Sequence, residues 1–392
     1  VLGNALVSMY AKFGMLTKAH HLFNELHVRD IVSWNALIDG YAQIGQGEFA
    51  LKCFEQMQSD GFSPDAITFT CALNTCGNMG SVMKGKQIHD EILLKGLLRE
   101  DAALGNALMG MYVKCGEFGK AQEVFDELPI RSLVSWSALI TGYTEQGQYQ
   151  EALNQFEQMR NEGFYPDVVS FMCILKTCSG IGALHKGIQI HKEIVSKDLL
   201  EKDIVLGNAL VDMYVRCGVL VNAQKLLEEL HVRDIVSWNA LLSGFAQQAR
   251  GHEALKCFER LQSESLSPDE VTFQCILSAC SHSGLMDEAQ VIFGNMKTKY
   301  GIAPKVEHYT CMVMGFGCEG NFAKAMSIIK VMPCSDYPPL WLALLGACKK
   351  WGNLELARLA FHQVVQLDYN SATAYVLMAN IYADAGMQED AD

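Results

Sequence analysis

The sequence predicts an all-α fold, a solenoid of stacked helix-turn-helix units, on three observations. First, the string HVRDIVSWNAL occurs unchanged at 27–37 and 231–241, and a degenerate copy, PIRSLVSWSAL, lies midway at 129–139, which fixes a period of 102 residues. Trp34, Trp136 and Trp238 keep that register, as do Gly3-Asn4, Gly105-Asn106 and Gly207-Asn208, and Cys71, Cys173 and Cys275. Second, apolar residues recur at helical spacing: Trp34, Leu37, Ile38 and Tyr41 form one stripe and Ala50, Cys53, Phe54 and Met57 another. Third, a glycine stands between such stripes throughout, at Gly14, Gly45, Gly80, Gly116, Gly147, Gly182, Gly218, Gly284, Gly320 and Gly352, where a tight turn needs a left-handed residue. Ala249 breaks that column.

These marks divide the period into hairpins of 35, 36 and 31 residues: 31–65, 66–101 and 102–132, then the same cycle over 133–234, then 235–269, 270–305 and 306–337. Residues 1–30 lack the start of a hairpin and 372–392 stop within one, so the chain is expected to be a piece of a longer protein, with any targeting segment outside it. A small residue falls early in each second helix: Ala19, Ala50, Gly85, Ala121, Ala152, Gly187, Ala223, Ala254, Ala289, Ala325 and Ala357. That column is expected to be the packing contact of the hairpin. Hairpins that each bury one face must stack, so length here counts repeats and not globular domains.

Half of the residues are hydrophobic, yet no run approaches the 18 or so apolar residues of a membrane span. The 14 cysteines include no CxxC pair, and Cys71/Cys76 with their copies are five apart, which separates them by about 140° around a helix. They are expected to be buried small hydrophobes in a reducing compartment, not metal ligands. His89-Asp90-Glu91 and His191-Lys192-Glu193 carry an HxE pattern with no PCxxC after it, and His252-Glu253 begins an HExx that ends in Lys256. No phosphate loop or Ser/His/Asp set stands out, so neither an enzyme nor a cofactor is expected in this chain.

The repeats VSWNALIDGYAQ..GEFALKCFEQMQSDGFSPD, ITFTCALNTCGNMGSVMKGKQIHDEIL and LGNALMGMYVKCGEFGKAQEVFDEL resemble the P, L and S motifs of plant pentatricopeptide repeat proteins of the PLS class. VEHYTCMV resembles a last S motif, and PPLWLALLGACKKWGNLELA with ATAYVLMANIYADAG resembles the E motifs that follow one. The resemblance implies a right-handed superhelical solenoid with ten repeats over 1–337 and an E-motif, tetratricopeptide-like region over 338–392. It implies single-stranded RNA in mitochondria or chloroplasts as the partner, not DNA or a membrane, with the protein usually choosing the cytidine for C-to-U editing, or otherwise serving another RNA-processing step. Protein editing cofactors are expected at the 338–392 tail. A DYW cytidine deaminase often follows E motifs in this family and is expected beyond this chain or in trans.

In this family the fifth and last residues of a repeat read one base. Carried over, the pairs are Asn4/Asp30, Asn35/Asp65, Asn106/Ser132, Ser137/Asp167, Asn208/Asp234 and Asn239/Asp269. Asn with Asp favours U, Asn with Ser favours C, and Ser with Asp favours G, which gives 5′-U-U-n-C-G-n-U-U. The gaps are L repeats, with Thr70/Asp101 a weaker reader, Met172/Asp203 expected to read nothing, and Gln274/Lys305; the last S repeat pairs Thr310 with Tyr337. The second residues Val32, Ile67, Val134, Val169, Val236 and Val271 would sandwich the bases.

Two features of the sequence pull against this. Asp before a helix and Asn at its start are also favoured as caps, whose oxygens accept free backbone N–H groups. The balance of 31 Lys and Arg against 44 Asp and Glu, net −13, is unlike most nucleic-acid binders. Lys12, Lys114 and Arg216 share one register and are the phosphate candidates. The competing architecture is a protein-binding tetratricopeptide array, whose uniform 34-residue period the 35/36/31 rotation does not match.

Overall fold

The computed structural model describes residues 2–26, 28–99, 101–128, 130–201, 203–333 and 336–387. Among them lie 23 α-helices, one 3-10 turn at Leu97–Arg99, and no strand. The hairpins fall where the periodicity places them. Residues 31–65 form Ile31–Gln43 and Gly47–Ser59, residues 66–101 form Ala66–Met79 and Val82–Leu94, and residues 102–132 form Ala102–Lys114 and Phe118–Glu127. Most of the difference between the 35- and 31-residue units sits in the second helix, which has 13 residues in Gly47–Ser59 and 10 in Phe118–Glu127.

Both apolar stripes are buried, with Trp34, Leu37, Ile38 and Tyr41 facing Ala50, Cys53, Phe54 and Met57. The turn glycines all take positive φ, Gly45 at 78° and Gly147 at 73° for example, and Ala249 adopts the same conformation at 53°. The small-residue column is fully buried at its alanines. Its two glycines have a different neighbour from the expected one: a Cβ on Gly85 would stand 2.4 Å from Met111 Sδ and one on Gly187 2.5 Å from Met213 Sδ. In these hairpins the column therefore packs on the next hairpin's first helix.

The chain divides into two compact units, 1–181 and 182–392, and the boundary falls between the two helices of the second 36-residue hairpin. In the first unit, Ile31–Gln43 packs on Ala66–Met79, that helix on Ala102–Lys114, and that one on Leu133–Glu145. The second unit repeats the scheme from Ile204–Arg216 through Ile235–Gln247, Glu270–Ser283 and Val306–Cys318 to Pro338–Trp351 and Ala372–Asp384. Within each unit most second helices pack against their own first helix and the next one. First helices thus form one continuous layer within each unit, and equivalent positions along them line up in rows.

Cysteine burial varies more than expected. Cys53, Cys76, Cys178, Cys257, Cys280 and Cys348 are buried, Cys71, Cys173 and Cys275 are half-buried, and Cys318 is exposed. Burial pushes the Cys76 thiol up to about 11 and the Cys280 thiol up to about 12, so neither is an activated nucleophile at neutral pH. Among the described residues no group of three His, Cys, Asp or Glu side chains could hold a metal ion, and no helix is long and apolar enough to cross a membrane.

Candidate RNA interface

Each hairpin junction from Asp30 to Asp269 puts an Asp or Ser immediately before a first helix, where four backbone N–H groups lack partners; Lys305 and Tyr337 stand there at the two junctions that follow. Asp30, Asp65, Asp234 and Asp269 accept the backbone N–H of Ser33, Thr68, Ser237 and Thr272 at 2.8–2.9 Å, and each closes a capping box with that residue. Ser132 does the same with Ser135 at 3.2 Å, and Asp167 accepts from Ser170 N at 2.8 Å. The junction carboxylates are caps.

The asparagines are not. Asn35 stands fifth in Ile31–Gln43, beyond the N–H groups that need a cap. Its amide nitrogen instead donates to Asp65 Oδ1 at 3.1 Å. The same bond runs from Asn239 to Asp269 at 3.0 Å, from Asn208 to Asp234 at 3.2 Å, and from Asn4 to both Asp30 oxygens at 2.8 Å. Capping and pairing coexist on one carboxylate: at Asp65 and Asp269 Oδ1 takes both the helix N–H and the amide and the second oxygen keeps its lone pairs, whereas at Asp30 and Asp234 the amide reaches the second oxygen as well. For Asp65 burial pushes the carboxyl pKa up, but the Thr68 N–H and hydroxyl and the Asn35 amide outweigh it and hold the group below its ordinary value. Asp234 and Asp269 respond in the same way, so these groups are ionised at neutral pH.

The Asn106/Ser132 pair differs. Ser132 is one atom group shorter and turns to Ser135, hydroxyl to hydroxyl at 3.0 Å. Asn106 Oδ1 is left buried with no hydrogen-bond partner. At the remaining reader, Ser137 is buried and its hydroxyl meets Ser170 at 3.0 Å. Thr70 and Thr310 turn away from the interface, each donating to its own helix, at Ala66 O (2.8 Å) and Val306 O (2.9 Å). Asp101 caps Ala103 and Leu104, Asp203 caps Val205 and Leu206, and Tyr337 makes no cap bond.

Beside these pairs each unit carries an apolar row. Val32, Ile67, Val134, Val169, Val236 and Val271 are between 51% and 67% exposed, although they sit in helices whose other valines and leucines are largely buried. Val205, 49% exposed at the same register, belongs to this row and escaped the sequence reading; Ala103 and Glu307 depart from it. Lys12, Lys114 and Arg216 end their first helices, eight residues or about 12 Å beyond the fifth position. All three are exposed. Lys114 donates to Asn78 Oδ1 at 2.8 Å, and Arg216 is tied to Asp212 at 2.8 and 3.0 Å.

The pattern of the PPR repeat family matches 29–78, 131–180 and 233–282, windows 102 residues apart; the PPR repeat matches 4–31, 106–132, 271–300 and 307–337; and the E motif matches 351–392. The chain belongs to the pentatricopeptide repeat family. A mitochondrial pentatricopeptide repeat-containing protein of Arabidopsis thaliana is 35% identical over 98% of the chain and 60% of the relative, and a chloroplastic one is 35% identical over 99% and 48%. The chain therefore spans about half the length of such relatives. The crystal structure of the pentatricopeptide repeat protein PPR10 in complex with an 18-nt psaJ RNA element aligns with 99% of this chain and 59% of its own, at a TM-score of 0.80 and 20% identity. The pentatricopeptide solenoid fold is common to both.

Proposed function

We propose that the chain binds single-stranded RNA by sequence, one base per P or S repeat, and serves a mitochondrial or chloroplast transcript as the site-recognition part of a C-to-U editing factor. The observation that carries this is the Asn/Asp pair bonded side chain to side chain at four junctions, three of them, at Asn35, Asn208 and Asn239, with an exposed aliphatic residue three positions before the Asn. A solved relative at this fold carries RNA.

The chemistry accounts for the code. An ionised carboxylate only accepts, so the free oxygen of Asp65 suits the N3–H of uracil and repels the bare N3 of cytosine, while the second Asn35 amide hydrogen meets a uracil carbonyl. A serine hydroxyl can donate to cytosine N3, and the Asn106 Oδ1, which has no protein donor to give up, would suit its exocyclic amine once the amide turns outward. With Ser137 in place of asparagine, a purine gains room and Asp167 accepts from the guanine N–H groups. Val32 and its counterparts would flank the bases. The order is 5′-U-U-n-C-G-n-U-U. For the tail, 338–392, protein editing cofactors are the proposed partners, in keeping with exposed Trp351, Tyr369, Tyr375 and Val376.

Gel shifts of the chain against RNA with that order and against a scrambled control test the reading. Tighter binding to the ordered RNA is expected, and equal binding would sink it. Ser132→Asp should move the preference at its base from C towards U; an unchanged preference would leave Asn106 and Ser132 without a reading role.

A further inference from the structure

A third side chain touches the reading pairs, and it comes from the next hairpin. Thr68 Oγ lies 2.6 Å from Asn35 Oδ1, Ser237 Oγ 2.5 Å from Asn208 Oδ1, and Thr272 Oγ 2.7 Å from Asn239 Oδ1, each also 2.7–2.9 Å from Oδ1 of the aspartate that the Asn pairs with, so the one hydroxyl hydrogen serves both oxygens. Ser170 meets the fifth-position Ser137 in the same way, at 3.0 Å. These hydroxyl residues are wholly buried, third in their hairpins, and each also belongs to the cap of its own helix.

We infer that the hydroxyl at the third position of the following hairpin, Thr68, Ser237 and Thr272, is a positioning residue for base recognition, holding the reading amide with its NH2 towards the Asp. This rests on the base reading proposed above. A side-chain amide presents a donor and an acceptor that exchange places on a half-turn of its last torsion. One bond from the nitrogen to Asp269 leaves that torsion soft; a second bond, from Thr272 to the oxygen, closes it from the opposite side. The remaining amide hydrogen then has one direction in which to meet a base.

The distribution within the chain follows the same rule. After both of the first two L repeats the third position is leucine, Leu104 and Leu206, fully buried and unable to donate, and after the third it is His308. Those are the repeats whose fifth residues, Thr70, Met172 and Gln274, are not asparagines. A hydroxyl present only to complete a cap would be as useful there. Two hydroxyls serve as internal controls: Ser33 donates to the Asp30 carbonyl at 2.7 Å and Ser135 pairs with Ser132, so neither holds an asparagine.

The test measures competition binding of the full chain to the ordered RNA with each of the four bases placed opposite the 235–269 repeat. Thr272→Val should reduce the preference for U about three- to tenfold, the loss of one net hydrogen bond, while Thr272→Ser restores it. Ser33→Ala, which removes a capping hydroxyl alone, should leave the U preference of the first repeat unchanged. If Thr272→Val keeps the full preference, or Ser33→Ala narrows its own to the same extent, the hydroxyls are only caps and the inference falls. Should circular dichroism show that Thr272→Val does not fold, Ser237→Ala, read opposite Asn208, decides between the same outcomes. No base preference in the unaltered chain would overturn the base reading itself and this inference with it.

Discussion

At the scale of single residues, the junction aspartates dissolve an alternative that sequence alone leaves open. Cap and reader looked like competing explanations of Asp65, because both put an acceptor just before a helix. The proposed reading gives the two tasks to different lone pairs of one carboxylate: Oδ1 takes the Thr68 N–H at 2.8 Å and the Asn35 amide at 3.1 Å, and the second oxygen would be left for a base. The two tasks can therefore be separated. Asp65→Ser should keep the cap within a few tenths of a kcal/mol, since serine caps about as well as aspartate, yet move the preference at that base from U towards C. Thermal melting together with base-by-base competition checks this; a fall in stability with no change of preference would make Asp65 a cap alone. The depressed carboxyl pKa gives the sign of the pH effect. Its stabilising contribution is complete above the ordinary carboxylate value and is lost only as pH falls through the lower folded value, so the U preference should hold between pH 8 and about 5.

At the scale of elements, the helices were legible in the sequence because burial is periodic: the stripe through Trp34, Leu37, Ile38 and Tyr41 could serve only one helix face, and the glycine after it could serve only a turn. The site was legible in part. The fifth and last residues stand out because they vary while their neighbours do not, but the third-position hydroxyls stand beside an Asp or Ser after each P repeat and after the first three S repeats and so read as ordinary capping residues. The signal was in the contrast with Leu104 and Leu206, which shows only when the junctions are sorted by type. The Gly85 column was half legible, since a sequence shows that a residue is small but not which neighbour fills the space, here Met111. Ala249 offers a test of the turn. It holds φ at 53° where other hairpins have glycine, a conformation that costs an L residue about 1–2 kcal/mol. Glycine would remove that cost but add about 0.5–1 kcal/mol of chain entropy to the unfolded state. Ala249→Gly should therefore stabilise the chain by about 0.5 kcal/mol, and calorimetry should show a small rise in Tm; a fall would mean that the alanine methyl packs usefully.

At the scale of the whole molecule, the charge is what sets this chain apart from a typical nucleic-acid binder. A net charge of −13 works against association with a polyanion, so on the proposed function the affinity would come from base edges and from the apolar residues beside them, not from counterion release. The three register-matched cations do little to change that. Arg216 is held by Asp212 and Lys114 by Asn78, so using either on a phosphate means first breaking a bond. Single-stranded binding loses about 0.7 in the logarithmic salt slope per phosphate neutralised, which sets the slope here at about −2 with all three engaged and nearer −1 if Arg216 stays with its acid. Titrations of the ordered RNA from low to high potassium chloride should fall on that shallow line, and Lys114→Ala should flatten it by about 0.7 while leaving the order of base preferences unchanged. A much steeper slope would require a basic surface that this register does not contain, and a Lys114→Ala variant with altered base preference would move Lys114 from the phosphates to the bases.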